Sequence, residues 1–165
     1  MSMKNVASNL TKSSLTNIRE GDPQPNAVDL RVAKILKISD NVFTIDEDQK
    51  SHRGATEYEP WEDGYYYLYP GSYEVVMENI VDVAEGEAGM VITRSTLNRN
   101  GVHITTGLYD SGYNGVMAAV MHVTCGLMRI KPGTRIGQYL CFDAETLSMY
   151  DGSYGLGKEH DKKYE

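Results

Sequence analysis

Residues 102–142 read VHITTGLYDSGYNGVMAAVMHVTCGLMRIKPGTRIGQYLCF, and this stretch decides the fold class. Residues 102–106, 116–123, 127–130 and 136–142 are short runs rich in Val, Ile, Met and aromatic side chains, cut apart by Gly, Asn and Pro-Gly turns. Runs of this length, rich in β-branched residues and bounded by turn formers, read as strands. Working outward, residues 90–93 form another such run. Upstream, Pro70-Gly71 makes a turn, after which Tyr73, Val75 and Met77 take one face of a strand and Glu74 and Val76 the other. Tyr65-Tyr66-Tyr67-Leu68-Tyr69 is equally β-like, and Val28, Leu30 and Val32 alternate with polar neighbours before Ile35, Leu36 and Ile38, so a strand pair is predicted to begin at Val28. Many short strands and almost no helical periodicity predict an all-β barrel or jelly roll with at most short helices.

The barrel is expected over residues 21–149. Residues 1–20 form a partly ordered N-terminal segment, with one short helix predicted over 14–20 and stopped by Gly21, Pro23 and Pro25. The acidic, turn-rich stretch 46–64 suits a surface loop. Residues 150–165 carry Gly152, Gly155 and Gly157, scattered tyrosines and several charges but no run of core residues, and read as a flexible C-terminal arm.

A chain of 165 residues is enough for one compact domain. Its 41% hydrophobic and 24% charged residues give a soluble balance, and no apolar run approaches the roughly 20 residues of a membrane span. Residues 1–15 are polar, without the apolar core of a signal peptide, so a cytoplasmic protein is expected. Cys125 and Cys141 lie in β-like apolar segments and are expected to be buried, reduced thiols. A net charge of −7 argues against an extended nucleic-acid surface. It leaves room for a small anionic ligand, because a few Arg residues make a local positive pocket in an acidic protein.

Five segments carry chemistry. Gln24-Pro25-Asn26-Ala27-Val28-Asp29-Leu30-Arg31 opens the first long strand, with Asp29 and Arg31 open to a purely structural pairing. Thr93-Arg94-Ser95-Thr96-Leu97-Asn98-Arg99-Asn100-Gly101 places hydroxyls and backbone amides at a turn flanked by two guanidinium groups, a combination suited to phosphate oxygens. Gly107-Leu108-Tyr109-Asp110-Ser111-Gly112-Tyr113-Asn114-Gly115 is a tight hairpin that bares backbone N–H and C=O groups beside the aromatic rings of Tyr109 and Tyr113. Pro132-Gly133-Thr134-Arg135-Ile136-Gly137-Gln138 leads into a strand on which Gln138 offers both a donor and an acceptor. Tyr150-Asp151-Gly152-Ser153-Tyr154-Gly155-Leu156-Gly157-Lys158 is a Gly-rich terminus able to fold over a ligand.

In this order, over residues 24–157, the five segments resemble the dUTPase and dCTP deaminase superfamily. The resemblance implies the distorted jelly-roll β-barrel of the trimeric dUTPase type and a pyrimidine deoxynucleoside triphosphate as substrate. It makes Asp110 the general base, and it assigns Arg94, Ser95, Thr96, Arg99, Leu108, Tyr109, Tyr113, Gln138, Tyr154 and Lys158 to substrate binding. Arg135 faces a neighbouring subunit or solvent and stays outside the site. A homotrimer with sites between subunits is implied, the arm of one chain reaching another, and Mg²⁺ is expected on the triphosphate oxygens and water rather than in an all-protein site.

Two chemistries share this scaffold. Deamination at pyrimidine C4 needs a proton shuttle, which the deaminase branch supplies as Glu on the strand after the hairpin; counted from Asp110, that position is Val120, which carries no proton. The His-x-Glu and Pro-Cys-x-x-Cys pattern of a zinc deaminase is missing, and His103 and His122 read as structural or surface residues. Attack at phosphorus needs positioned water, a base and charge neutralisation, which Asp110, Arg94, Ser95 and Gln138 can provide. The expectation is a dUTP diphosphatase. Arg99, Ser111-Gly112 and the tail are closer to the deaminase branch, so three alternatives stand beside it: a deaminase or bifunctional enzyme with its shuttle elsewhere, a diphosphatase for another pyrimidine deoxynucleotide, and a non-catalytic nucleotide-binding regulator.

Overall fold

The computed structural model describes residues 2–164. In chain order the strands are β1 (Met3–Lys4), β2 (Ser14–Leu15), β3 (Val28–Ile38), β4 (Thr44–Ile45), β5 (Lys50–Ser51), β6 (Ala55–Glu57), β7 (Tyr66–Leu68), β8 (Gly71–Asp82), β9 (Glu87–Thr93), β10 (Val102–Thr105), β11 (Asn114–Val123), β12 (Met128–Ile130) and β13 (Arg135–Asp143). Among the described residues the one α-helical turn, α1 (Ser95–Asn98), follows β9, and a 3-10 turn, Glu159–Tyr164, comes last. The main sheet runs β1-β13-β3-β8-β11-β10, with β2 added to β8, β6 to β3 and β9 to β13. Its pairs are antiparallel, and the sheet curls into the expected distorted jelly-roll barrel.

Alternation explains how the strands fill this barrel. Along β11, Met117, Ala119, Met121 and Val123 point into the core while Val116, Ala118, Val120 and His122 take the opposite, half-exposed face. Met117 and Met121 meet the fully buried Leu30, Ile35, Val75, Ile136 and Tyr139 in one continuous core. Burying each large apolar side chain contributes about 1.5–3 kcal/mol.

Three sequence expectations are corrected. The strand pair expected from Val28 is one long strand, β3, whose pairing to β8 slips between Val32 and Lys34. That bulge at Ala33 explains why the apolar set moves from Val28, Leu30 and Val32 to Ile35: one extra residue reverses the facing of everything after it. The helix expected over 14–20 does not form. Ser14 and Leu15 pair with Asp82 and Val81 of β8, Thr16 N donates to Ile80 O at 2.9 Å, and Asn17 adopts φ 54°. An isolated helix of two turns is marginal, and the edge of β8 supplies the backbone partners instead. Cys141 is buried, but Cys125 is exposed, because its segment is the turn leading from β11 toward β12 rather than the strand itself. Within the 46–64 loop, β5 pairs with β4, and β6 lengthens the sheet at β3.

Candidate active site

The hairpin between β10 and β11 is fixed from both sides. Gly89 and Tyr109 exchange two backbone hydrogen bonds at 2.9 and 2.8 Å, Val83 N donates to Tyr113 O at 2.9 Å, and Gly112 N donates to Val83 O at 2.8 Å. Ser111 Oγ donates to Glu87 O at 2.5 Å. Gly112 sits at φ 87°, a left-handed conformation that glycine adopts without steric cost. The tip is thereby held while Leu108 and Asp110 are left exposed. Among the described residues no hydrogen bond or ion pair engages the Asp110 carboxylate, so it is open to water.

Beside this hairpin lies a cavity of about 690 Å³, lined by residues 105–109 of the hairpin's first limb, by Tyr113 and by Val116, Ala118 and Val120 of β11. Tyr113 packs between Tyr109 (5.2 Å between ring centroids) and Tyr150 (5.5 Å), and its hydroxyl donates to Val116 O at 2.9 Å. Burial pushes the Tyr109 and Tyr113 phenols well above their ordinary pKa, so both stay neutral. Across the cavity wall Glu74 of β8 stands opposite Val120 of β11, which stands opposite Thr105 of β10; all three line the cavity.

The C-terminal segment roofs the cavity. Tyr150 N donates to Ser111 O at 2.8 Å and Leu156 N to Asn114 O at 2.9 Å, so residues 150–156 follow the hairpin's second limb. The approach is close: Gly155 has φ 120°, and a Cβ there would lie 2.8 Å from Asn114 O. Beyond it, His160, Asp161 and Tyr164 of the 3-10 turn join Tyr154 on the cavity lining. Tyr154 meets the His160 ring edge-on at 4.7 Å, and His160 lies 4.2 Å from His52 of the 46–64 loop. Burial, and then His52, hold the His160 pKa below its ordinary value. Asp161 is buried, accepts Gly155 N at 2.6 Å through Oδ2, and has Oδ1 without a partner among the described residues. Lys158 sits at the surface with Nζ 3.6 Å from Asp151.

The phosphate-binding candidates gather elsewhere, on a buried carboxylate. Asp29 of β3 is fully buried and receives Arg94 Nε at 3.2 Å, Arg135 Nη1 at 3.2 Å and Gln138 Nε2 at 3.1 Å. Two guanidiniums against one carboxylate leave a local positive excess in a chain of net charge −7. Arg31 is occupied by Asp22 at 2.6 Å and by Gly133 O at 2.9 Å. Ser95 and Thr96 are exposed at the start of α1 and Arg99 at its end, their turn anchored by buried Leu97.

Leu108, Tyr109, Tyr113 and Tyr154 therefore share the cavity, Asp110 stands beside it on the hairpin, and Arg94 and Gln138 meet on Asp29. None of Arg94, Ser95, Thr96, Arg99 and Gln138 lines the described cavity. Sequence reasoning passed over Asp29 as an organiser, left out Arg135, and missed Glu74, His160, Asp161 and Tyr164. A signal for Asp29 was present, since a charged residue between Val28 and Leu30 falls on the face opposite the apolar set; Glu74 gave the same signal between Tyr73 and Val75. Nothing local marked the terminal turn.

Comparison with known proteins agrees with this architecture. The family model described as dCTP deaminase-like matches residues 2–144. A probable deoxyuridine 5′-triphosphate nucleotidohydrolase of Aeropyrum pernix is 33% identical over 141 residues, covering 81% of this chain and 85% of the relative. One of the same description from Methanothermobacter thermautotrophicus is 31% identical, covering 79% and 86%. Among solved structures, the 2′-deoxycytidine 5′-triphosphate deaminase of Agrobacterium tumefaciens superposes with a TM-score of 0.63 at 14% identity, covering 81% of this chain, which spans 44% of the deaminase chain. A Staphylococcus bacteriophage 80alpha dUTPase with dUpNHpp superposes with a TM-score of 0.52 at 14% identity, covering 89% and 99%.

Proposed function

From the premise that the chain belongs to the dCTP deaminase-like family, we propose that it hydrolyses dUTP to dUMP and pyrophosphate. The observation that carries this reading is the Asp110 carboxylate, exposed and without a partner among the described residues, on a hairpin held from both sides, beside an aromatic cavity with apolar Val120 on its wall. The cavity takes the nucleoside, with the Tyr113 ring against deoxyribose and Leu108 and Tyr109 shaping the base end. Asp110 accepts a proton from a water whose oxygen forms the new bond to the α-phosphorus; the α,β-bridging P–O bond breaks and pyrophosphate leaves. Arg94, aligned by Asp29, Gln138, and the Ser95, Thr96 and Arg99 turn neutralise and orient the phosphates, while Tyr154 and Lys158 close from the arm.

The cavity and the arginine cluster occupy separate places in one chain, and this separation supports a homotrimer in which each site takes its phosphate-binding residues from a neighbouring subunit. Mg²⁺ fits such a site as a substrate-borne ion. The Asp29 carboxylate is already taken by Arg94, Arg135 and Gln138, whereas that of Asp110 is free to accept hydrogen bonds from metal-bound water. Held by triphosphate oxygens and water, the ion would offset charge on the departing pyrophosphate. A cytoplasmic, soluble enzyme accords with this substrate, and no described helix is long and apolar enough to cross a membrane.

One observation favours a second reading. Glu74 stands opposite Val120 on the cavity wall, so the strands do place one carboxylate near the position from which a deaminase would move protons. Product analysis with dUTP, dCTP, dTTP and UTP separates the readings. Pyrophosphate from dUTP, no ammonia from dCTP, and a 10²–10⁴-fold loss of turnover (order of magnitude) in Asp110→Asn with nearly unchanged affinity for a non-hydrolysable dUTP analogue are expected. Ammonia from dCTP would establish a deaminase or bifunctional enzyme. Pyrophosphate from another pyrimidine nucleotide in preference to dUTP would change the substrate, and binding without either product would make the protein a regulator.

A further inference from the structure

Glu74 is the residue that the hydrolytic mechanism leaves idle and the structure does not. It lies near the start of β8, its side chain 13% exposed, on the cavity side of the sheet. Both of its carboxylate oxygens are taken by one end of the chain: Lys163 Nζ donates to them at 2.9 and 3.1 Å, and the Tyr164 hydroxyl donates to Oε1. The 3-10 turn holding these two donors is tied to the rest of the arm by Gly155 N on Asp161, and the arm is tied to the hairpin by Leu156 N on Asn114 O. Residues 150–164 thus form a strap with one fastening on the hairpin and a second, ionic one on β8, across the cavity between them.

The volume decides what this strap does. With the strap in place the cavity still measures about 690 Å³, within the range of about 300–1,000 Å³ typical of small-molecule sites. The turn therefore covers the cavity without filling it, so it acts as a roof under which a ligand fits and not as a plug that a ligand must expel. Side chains of the roof that face the cavity are Tyr154, His160, Asp161 and Tyr164.

We infer that Glu74 is a positioning residue, which fastens the C-terminal turn through Lys163 and Tyr164 and so keeps a roofed nucleoside cavity populated before substrate arrives. The identification of the cavity's occupant rests on the function proposed above; the fastening does not. A roof closed only part of the time lowers apparent affinity by the fraction closed, whereas substrate at saturation restores closure through its own contacts. Loss of the fastening consequently appears in KM more than in kcat.

Hydrogen exchange of the ligand-free, full-length protein tests the fastening directly. Glu74→Ala and Lys163→Ala should each speed exchange of amides in residues 155–164 at least fivefold, and the double variant should exceed the faster single variant by less than twofold, because Glu74→Ala already removes the ion pair that Lys163→Ala removes. Amides of β8 and β11 should keep wild-type protection. Lys163→Ala changes a surface side chain and carries the test if Glu74→Ala fails to fold. Steady-state kinetics with dUTP should then show KM raised at least fivefold in both single variants and kcat within twofold of wild type. Unchanged exchange in residues 155–164, multiplicative effects in the double variant, or an unchanged KM beside accelerated exchange each overturn the inference. A wild-type protein inactive on dUTP, with the exchange pattern as expected, rejects the proposed substrate and leaves the fastening standing.

Discussion

Glu87 holds the N-terminal segment to the barrel, and its replacement by Gln tests how much that attachment is worth. Its side chain, 4% exposed, accepts Ser13 Oγ at 2.5 Å, Ser13 N at 3.0 Å, Thr11 Oγ1 at 2.6 Å, Lys12 N at 3.2 Å and Lys4 Nζ at 3.0 Å. Burial alone would raise its pKa; the Ser13 and Thr11 hydroxyls, then Lys4 and the Lys12 amide, outweigh burial and bring it from 4.5 to about 2. A carboxylate whose pKa is lower in the folded than in the unfolded chain contributes stability that is complete above the unfolded value and is lost as pH falls through the folded one. The difference between 4.5 and about 2 corresponds to roughly 3 kcal/mol, present at neutral pH and lost progressively from about pH 5 downward. Glu87→Gln keeps the shape but surrenders the charge, so urea unfolding at fixed protein concentration should show a deficit of about 3 kcal/mol at pH 7 that narrows steadily toward pH 3. Equal stability of the two proteins at pH 7, or a deficit that does not shrink on acidification, would refute the reasoning.

Tyr113→Ala should lower the preference for dUTP over UTP, since the ring that packs on deoxyribose is gone; an unchanged ratio of kcat/KM for the two nucleotides removes Tyr113 as the discriminator. Truncation after Asp143 should leave a folded oligomer with strongly reduced turnover of dUTP, checked by light scattering and pyrophosphate release, and full turnover would exclude the arm from the mechanism. Asp29→Ala leaves Arg94, Arg135 and Gln138 without their shared acceptor and should cost about 3–5 kcal/mol in denaturant unfolding, with a raised KM for dUTP. A variant as stable as wild type with unchanged KM would show that Asp29 does not align this group.

The barrel was legible because period-two alternation and turn residues are local signals: β8 to β13 are close to where residues 71–142 place them. Phase errors arose where pairing overrode local pattern. The bulge at Ala33 makes one strand look like two, and Ser14–Leu15 becomes a strand because β8 has a free edge there, a fact stored some 65 residues away in sequence. The hairpin and the Ser95-Thr96 turn were readable as chemistry because each packs its polar groups into a few consecutive residues. Asp29, Arg94, Arg135 and Gln138 come from three separate strands and loops, so their convergence appears only after β13 has paired with both β3 and β9. Likewise the use of Glu74 depends on the chain's far end folding back over β8.

The register of β8 against β11 also constrains how this chain could change its chemistry over evolutionary time. Glu74 and Val120 are directly opposite, and like charges at such a pair destabilise a sheet. A carboxylate acquired at 120 would face the one already at 74 and compete with it for Lys163 and Tyr164. A second negative charge at 120 is therefore disfavoured by up to about 1 kcal/mol while Glu74 is charged, and Val120→Glu is better tolerated in a background that has lost the charge of Glu74. Substitution at 74 is in that sense permissive for a proton-transferring carboxylate at 120 on β11, and it carries with it the loss of the Lys163 and Tyr164 contacts that hold the C-terminal turn.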